Sequence, residues 1–425
     1  MVSSPSKQLG FYGWRSLAGA MLIICSMVGN IVVAFGVFLP AMCRELDWTR
    51  SALSGPFTGF WIVMGFLGPL SGLSTGKFGP RKNMIAGNIM IVIGALLMSR
   101  VSEFWHVYLF FSVFIGAGQA FGTFLPANSI ITNWFTTRRS LAISLLSAAG
   151  GVGGLIFPPL LSWYISTQGW RTAWIYLGIT HLVMAVIVGG SMVRNRPEDM
   201  GQLAEGVYAK GDLGTDAGKP PPSRVYQSPV DWKVKDVLRT PAFWLIIGFA
   251  SAMMFTLNFL TLHQVAYLQD LGYSSMVAAF AAGVFGGIAI VGQLTSGALG
   301  TRFESRKIAA VCMLGMIVGV TILMNVTALP LIYIHTVISG ISAGGIMVVL
   351  PVLLGNYFGR ANYPQILGST TPVTTIFGAG SPLLAAYIYD SIGSYTPVFI
   401  VGLCLLGVGF VCALLAKPPI PRSAV

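Results

Sequence analysis

A few polar side chains interrupt long apolar stretches of this sequence, and they are its main candidates for chemistry. They are amides, hydroxyls and one imidazole, at Asn30, Gln119, Thr123, Asn258, His263, Gln293, Thr370 and Thr371. Amides and hydroxyls can bind a small polar molecule through hydrogen bonds, and an imidazole can exchange a proton near neutral pH. These residue types therefore indicate binding and proton exchange rather than covalent catalysis.

His263 is the candidate for proton exchange. It lies in the second half of the seventh apolar stretch, the part predicted to lie toward the outer side of a membrane. An imidazole at that depth can act as a proton site or as part of an outer gate. The alternative is a neutral histidine bonded to a backbone carbonyl at the membrane interface. We interpret His181 and His335 as packing or interfacial residues, and His106 as an outer-loop residue.

The amides of Asn30, Gln119 and Asn258 are stronger binding candidates than the hydroxyls. An amide in hydrocarbon needs hydrogen-bond partners, which a small molecule can supply. A threonine can instead bond its own helix backbone, and this is the alternative for each of the threonines.

The composition indicates a membrane protein. Of the 425 residues, 55% are hydrophobic and 9% are charged, whereas soluble domains are roughly 25% charged. Twelve apolar stretches are each long enough for a membrane helix of roughly 20 residues. We therefore predict an all-α membrane protein with twelve transmembrane helices. Their predicted limits are 16–42, 52–76, 83–101, 105–131, 140–164, 171–193, 241–269, 275–300, 307–327, 330–356, 364–389 and 394–416.

The Lys and Arg residues behind the net charge of +12 are concentrated in the segments predicted to lie inside, so the charge does not indicate nucleic-acid binding. With both termini inside, the outer segments hold only four of the 25 Lys and Arg residues, namely Arg44, Arg50, Arg100 and Arg171. Inner loops of membrane proteins carry such an excess of Lys and Arg. The chain is therefore predicted to span the cell (inner) membrane with both termini cytoplasmic.

The sequence contains one internal repeat. GLSTGKFGPRK (72–82) and GALGTRFESRK (297–307) match at an offset of 225, and NWF (133–135) and NYF (356–358) match at an offset of 223. Such a parallel repeat predicts two pseudo-symmetric six-helix bundles. One substrate site would then lie between the bundles and open alternately to each side.

A polar segment rich in Gly and Pro divides the repeats. It covers 194–240 and is predicted to be a cytoplasmic linker. The predicted domains are therefore an N-terminal bundle, 1–193, and a C-terminal bundle, 241–425.

Motifs of enzymes and of ATP-driven proteins have no support in the sequence. The glycines of AAGGVGG (148–154) have no preceding strand and no following Gly-Lys-Ser/Thr, so they favour close helix packing. The five cysteines lack paired or metal-like spacing. We therefore expect no catalytic residues, no cofactor and no metal.

The two basic turns resemble the loop signature G-x-L-x-D-[RK]-x-G-R-[RK] of the major facilitator superfamily. Gly76 and Thr301 stand at its acidic position. In that superfamily the acid helps to lock the cytoplasmic gate by pairing with basic and helix-end groups. The resemblance implies a gate formed by Gly72, Lys77, Gly79, Arg81, Lys82, Arg138, Arg139, Arg302, Arg306 and Lys307.

Four further segments narrow the resemblance to the monocarboxylate-porter-like group, near the oxalate/formate-type antiporters. They are FGVFLPAMCRELDWTRSALS (35–54), NWFTTRRSLAISLLSAAGGVGG (133–154), NRPEDMGQLAEG (195–206) and HQVAYLQDLGYS (263–274). The resemblance implies a secondary transporter that moves small organic acids by proton symport or exchange. We expect a monomer whose partners are a small-molecule substrate, a co-transported proton and the lipid bilayer.

At Gln293 the sequence departs from that group. Its members usually carry an arginine here that binds the substrate carboxylate, and the lysine that the oxalate/formate-type relatives add is absent from 364–389. A charged hydrogen bond is worth about 1.5–3 kcal/mol and a neutral one about 0.5–1.5 kcal/mol. Gln293 can therefore bind a carboxylate more weakly, bind a neutral molecule, or bond a neighbouring helix. The alternative function is a carrier or exporter of a neutral or weakly polar small molecule.

Overall fold

The computed structural model describes residues 11–33, 35–48, 50–205 and 225–420. Twelve helical segments, numbered α1 to α12 in chain order, account for most of these residues. Nine segments are uninterrupted: α2 (Arg50–Phe78), α3 (Pro80–Met98), α5 (Arg139–Gln168), α7 (Pro241–Asp270), α8 (Ser275–Leu299), α9 (Ser305–Met324), α10 (Leu329–Phe358), α11 (Tyr363–Ile392) and α12 (Thr396–Leu415).

The other three segments change their winding within the membrane span, and all three belong to the first half. Each contains a π-helical turn, a feature often found at functional sites. Their parts are Gly13–Met27, Val28–Val33 and Phe35–Leu46 in α1; Phe104–Val107, Tyr108–Ile115, Gly116–Gly122 and Phe124–Trp134 in α4; and Trp170–His181, Leu182–Gly189 and Gly190–Met192 in α6.

The prediction of an all-α membrane protein is confirmed. In the described part of the chain, eleven helices are long and apolar enough to cross a membrane. The twelfth predicted span is the 30-residue helix α11, whose hydropathy is lowered by the Thr, Gly and Pro residues of STTPVTTIFGAGSP. The predicted limits of the twelve spans agree with the helix ends to within four residues.

The predicted division into domains 1–193 and 241–425 stays a prediction. Residues 206–224 of the predicted linker lie outside the described residues, as do the two predicted cytoplasmic ends, 1–10 and 421–425.

Pro126 explains the break in α4 between Gly122 and Phe124. Proline has no N–H, and its ring clashes with the carbonyl four residues earlier, which here belongs to Gly122. Thr123, with φ −124° and ψ −113°, leaves the helical conformation, and the helix resumes at Phe124. The Gly122 carbonyl therefore loses its helical partner and needs another one within the hydrocarbon.

Small residues bring α8 and α10 into close contact. A Cβ added at Gly292 would overlap the carbonyl oxygen of Ile341, and one added at Gly344 would overlap that of Ala289. Membrane helices gain little from hydrophobic burial against each other, so close packing of this kind stabilises the bundle.

The described contacts between the two halves run from one end of the molecule to the middle of the membrane span, where Gly65 of α2 meets Thr375 of α11. We call the end that carries the basic turns 72–82 and 297–307 the inner end, and the opposite end the outer end. The face of α8 that contacts α5 at Ile290 and Gly297 continues toward the outer end through Gly286 and Gly283, where an added Cβ would meet no atom within 4 Å. The helices α5 and α8 therefore diverge, and the cleft between the halves opens at the outer end.

We expect Gly344→Ala to destabilise the protein by about 1–3 kcal/mol, because the added methyl group overlaps backbone that cannot rotate away. The measurement is thermal unfolding of the purified protein in detergent. Gly407→Ala on α12 is the matched control, since its Cβ would meet no atom within 4 Å and alanine is the better helix former. Equal melting temperatures for the two variants would contradict this packing.

Candidate functional site

A buried arginine joins the two halves at the inner end. Arg139, at the start of α5, is 5% exposed. Its Nη1 donates to Oδ1 of Asn356 on α10 at 2.9 Å, and its Nε donates to the carbonyl of Phe135 at 3.3 Å. The hydrogen bonds described for this guanidinium thus go to neutral acceptors. One of them crosses from the first half to the second.

A second arginine crosses in the opposite direction. Nη1 of Arg360, in the loop between α10 and α11, donates to the carbonyl of Asn133 on α4 at 3.3 Å, and its Nη2 pairs with Glu198 at 3.2 Å. Asn133 and Asn356 occupy equivalent places in the NWF and NYF repeat. The asparagine of each half therefore accepts a hydrogen bond from an arginine of the other half, Asn356 through its side chain and Asn133 through its backbone carbonyl.

Small residues complete the contact at the inner end. Gly72 packs on the carbonyl of Pro364, and Gly76 packs on the side chain of Gln365. In the second copy, Gly297 and Gly300 pack on serines of α5. The side chain of Gln365 therefore occupies the space beside the position where the superfamily signature has its acid.

The remaining predicted gate residues lie around this contact. Arg81 bonds within its own half, from its backbone N–H to Oδ1 of Asn195 at 2.8 Å and from Nε to the carbonyl of Gly190 at 3.2 Å. Gly79 has a φ of +86°, a conformation that favours glycine at this turn. The other basic side chains of the predicted gate are exposed or interact with nearby groups, and they are Lys77, Lys82, Arg138, Arg302, Arg306 and Lys307.

A buried chain of hydrogen bonds crosses the first half and ends at the broken turn of α4. Nδ2 of Asn30 lies 3.2 Å from Oγ of Ser26, and that Oγ lies 2.8 Å from Nδ1 of His181. Nε2 of His181 lies 2.9 Å from Oδ1 of Asn88, whose Nδ2 donates to the Gly122 carbonyl at 2.8 Å. The carbonyl that Pro126 deprives of its helical partner is thus satisfied by α3.

The hydrogen bonds from Asn30 to Gly122 all donate in the same direction. Because Nδ2 of Asn88 donates to the Gly122 carbonyl, its Oδ1 must accept a hydrogen bond from the protonated Nε2 of His181. Nδ1 of the neutral imidazole then accepts from the hydroxyl of Ser26, which accepts in turn from Asn30. The predicted binding residue Asn30 therefore has its NH₂ group fixed and its carbonyl turned away from Ser26. Sequence reasoning missed Ser26 and Asn88, although a proline inside a span signals a carbonyl that needs a polar neighbour.

The other predicted binding residues of α4 lie near the break. Gln119 is 3% exposed, and its Oε1 is buried with no partner among the described residues. The hydroxyl of Thr123 donates to the carbonyl of Gln119 at 2.8 Å. Gln119 therefore retains a free acceptor, whereas Thr123 bonds the backbone of its own segment.

The predicted binding residues of α7 and α11 bond mostly to backbone. Nδ2 of Asn258 donates to the Met254 carbonyl at 2.9 Å, and the hydroxyl of Thr370 donates to the Leu367 carbonyl at 2.7 Å. The hydroxyl of Thr371 lies 2.8 Å from the carbonyl of Gly65 on α2. Thr371 therefore lies in the contact between the halves.

Gln293 lies on the side of α8 that faces α5. Ile290 and Gly297, three residues before it and four after it, both contact α5, and residues at this spacing share one helix face. Its Oε1 is buried and has no partner in the described part of the chain. An amide acceptor thus remains unpaired just where the cleft between the halves closes.

His263 bonds α11 and the residue before α12 near the outer end. Its Nε2 lies 3.1 Å from the carbonyl of Pro382 on α11, and its Nδ1 lies 3.1 Å from the hydroxyl of Tyr395 before α12. A carbonyl can only accept, so Nε2 carries a proton and Nδ1 accepts from Tyr395 in the neutral form. A second proton on Nδ1 would reverse the bond to Tyr395. Among the described residues, no group of three or more His, Cys, Asp or Glu is placed to hold a metal ion.

Comparison with known proteins agrees with this architecture. A family model described as Major Facilitator Superfamily matches residues 17–289 and 245–425. Monocarboxylate transporter 13 of Bos taurus is 26% identical over 395 residues, covering 92% of this chain and 86% of that protein. Monocarboxylate transporter 12 of Homo sapiens is 23% identical over 417 residues, covering 93% of this chain and 79% of that protein.

Two solved structures share the fold. The crystal structure of the MFS transporter FucP in the outward conformation has a TM-score of 0.72 and 14% identity, covering 95% of this chain and 100% of that chain. The proton:xylose symporter XylE bound to 6-bromo-6-deoxy-D-glucose has a TM-score of 0.71 and 14% identity, covering 95% of this chain and 94% of that chain.

The twelve described helical segments, eleven of them long and apolar enough to cross a membrane, form two repeated halves, and together with the family match they indicate a multi-pass membrane transporter. The chain belongs to the Major Facilitator Superfamily. The predicted resemblance to its monocarboxylate-porter-like group is confirmed.

We expect Ser26→Ala to destabilise the protein by about 1–3 kcal/mol, because it leaves Nδ1 of His181 and the NH₂ group of Asn30 without their partner in a buried site. Ser251→Ala is the matched control, since Oγ of Ser251 is also buried but has no partner among the described residues. Thermal unfolding in detergent compares the two variants. A loss of stability no larger for Ser26→Ala than for Ser251→Ala would mean that the hydrogen bonds of Ser26 contribute nothing to the free energy of unfolding.

Proposed function

We propose that the protein is a secondary active transporter that moves small, monocarboxylate-like organic acids by alternating access, in symport with a proton or by exchange. The observation that carries this proposal is a cleft open at the outer end and closed at the inner end. Relatives named as monocarboxylate transporters, aligned over more than nine tenths of the chain, support the substrate class. We further propose the cell membrane as its location, with both termini cytoplasmic.

Alternating access requires that the inner contact can open. That contact consists of glycines against backbone and polar side chains, of hydrogen bonds such as those from Arg139 to Asn356 and from Arg360 to Asn133, and of the partly exposed ion pair of Arg360 with Glu198. Water can replace each of these hydrogen bonds, and a typical one contributes only about 0.5–1.5 kcal/mol net. Opening at the inner end, with closure at the outer end, would carry a bound molecule across.

The unpaired amides supply the binding chemistry in this proposal. The Oε1 atoms of Gln119 and Gln293 are buried acceptors without described partners, and they can bind only a donor such as the hydroxyl of a protonated acid. An ionised carboxylate, which only accepts, would bind to the Nε2 donor of Gln293. Gln293 would bind the acid more weakly than an arginine would.

A neutral or weakly polar substrate is the second candidate function. It is favoured because every Lys, Arg, Asp and Glu of the twelve described helical segments lies near a helix end. An ion in the middle of a membrane is costly without a partner of opposite charge, so a pathway without such partners suits an uncharged ligand.

The deciding experiment measures uptake into proteoliposomes, with and without an inward-acid pH gradient. The panel pairs short monocarboxylates with neutral analogues of the same size. We expect gradient-driven uptake of the acids alone. Uptake of the neutral analogues that ignores pH would replace the first candidate with the second.

We expect Gln293→Arg to lower the KM for a monocarboxylate about tenfold, because a charged hydrogen bond replaces a neutral one. Gln293→Glu is the charge-reversed control and should weaken uptake of the acid, because like charges repel. Competition assays in proteoliposomes measure both effects. If Gln293→Arg and Gln293→Glu impair uptake equally, the residue does not contact a carboxylate.

We assign proton coupling to His263. A glutamine can donate to the Pro382 carbonyl and accept from Tyr395 as the neutral imidazole does, but it cannot exchange a proton. We therefore expect His263→Gln to fold and transport, and to lose the acceleration by an inward proton gradient. Tyr395→Phe keeps the imidazole and should keep the acceleration. Full pH dependence in both His263→Gln and His263→Ala would disprove the assignment.

A further inference from the structure

A polar cavity of about 260 Å³ lies at the inner end, between the two halves. The first half lines it with the turn Thr75–Pro80 and with Asn133, and the start of the linker adds Asn195, Arg196 and Asp199. The second half lines it with Arg360, Ala361 and Pro364. Since a water molecule fills about 30 Å³, the cavity has room for a small polyatomic ion with some of its hydration. A ligand in this cavity would contact both halves.

The charges around the cavity favour an anion. Lys77, Arg196 and Arg360 line it, against a single lining carboxylate at Asp199. Two further carboxylates lie beside Arg360: Glu198 pairs with its Nη2 at 3.2 Å, and Oδ1 of Asp231 accepts from its backbone N–H at 2.7 Å. The side chains that line the cavity itself are three cations against one carboxylate, and both halves contribute cations.

Backbone geometry adds to this preference. The α3 helix begins at Pro80, directly at the cavity, and a helix N-terminus carries partial positive charge. Gly76, at the acidic position of the superfamily signature, also lines the cavity. No carboxylate of the basic turn itself therefore competes with a ligand for these cations.

We propose that this cavity binds a phosphate group, either free phosphate or the headgroup of an anionic lipid. A phosphate offers several strong acceptor oxygens to Arg and Lys donors, and basic pockets between membrane helices on the cytoplasmic side are suited to lipid headgroups. Because the ligand bridges Lys77 of the first half, Arg196 at the start of the linker and Arg360 of the second half, it stabilises the closed inner end.

The consequence for transport follows from linkage. A ligand that binds only while the inner end is closed shifts the population toward that state. Saturating phosphate would therefore slow the opening of the inner end. This effect on transport rests on the alternating-access function proposed above, whereas the binding itself does not.

The test of binding needs no transport. Thermal unfolding of the full chain in an uncharged detergent is followed during titration with inorganic phosphate, against chloride at matched ionic strength. We expect phosphate alone to raise the melting temperature, and we expect Lys77→Gln and Arg196→Gln each to weaken its apparent affinity about tenfold. Lys235→Gln, which removes an exposed lysine outside the cavity lining, should leave the affinity unchanged.

A second arm distinguishes the two sources of phosphate. The same variants are unfolded in nanodiscs of phosphatidylcholine alone and of phosphatidylcholine with phosphatidate. A shift with free phosphate in detergent assigns a soluble ligand, and a shift with phosphatidate alone assigns a lipid headgroup. No shift in either arm, or a shift reduced as much by Lys235→Gln as by Arg196→Gln, would overturn the proposal.

Discussion

An unpaired backbone carbonyl in hydrocarbon is the constraint that organises the first half of this transporter. Pro126 removes the helical partner of the Gly122 carbonyl, and water is not available in the bilayer core to replace it. Asn88 on α3 donates to that carbonyl and thereby fixes which nitrogen of His181 carries the proton. Through Ser26, the same hydrogen-bond direction reaches Asn30 within the π-helical turn of α1. One proline on α4 thus determines the orientation of an amide on a different helix.

The two halves share a topology but differ in how regular their helices are. The π-helical turns and the α4 break lie in the first half, whereas α7 to α12 are each described as one uninterrupted helix. The unpaired acceptor of Gln119 belongs to the irregular half, and that of Gln293 belongs to the regular half beside the α5 contact. A ligand held by both amides would therefore join a half shaped by a hydrogen-bonded network to a half shaped by close glycine packing.

The sequence was sufficient for the architecture, because membrane spans depend on the length of apolar stretches and the repeat shows directly in the two basic turns. It was not sufficient for side-chain partners, which depend on residues far apart in the chain. His263 bonds Tyr395, and Thr371, predicted to face the substrate, bonds Gly65 of the opposite half. The place of Gln365 beside Gly76 could not be read from the loop signature, because that signature covers only one side of the contact.

The inner contact is built from partners that make a reversible gate physically reasonable. A buried ion pair that loses one partner leaves an uncompensated charge, at a cost of about 3–5 kcal/mol. Arg139 instead bonds a neutral amide and a carbonyl, and water can replace both as the halves separate. The glycine contacts carry no charge at all. The ion pair of Arg360 with Glu198 at this contact is partly exposed, and an exposed pair contributes only about 0–1 kcal/mol. The gate therefore closes weakly, and each half can exchange its contacts for water at a small cost in free energy.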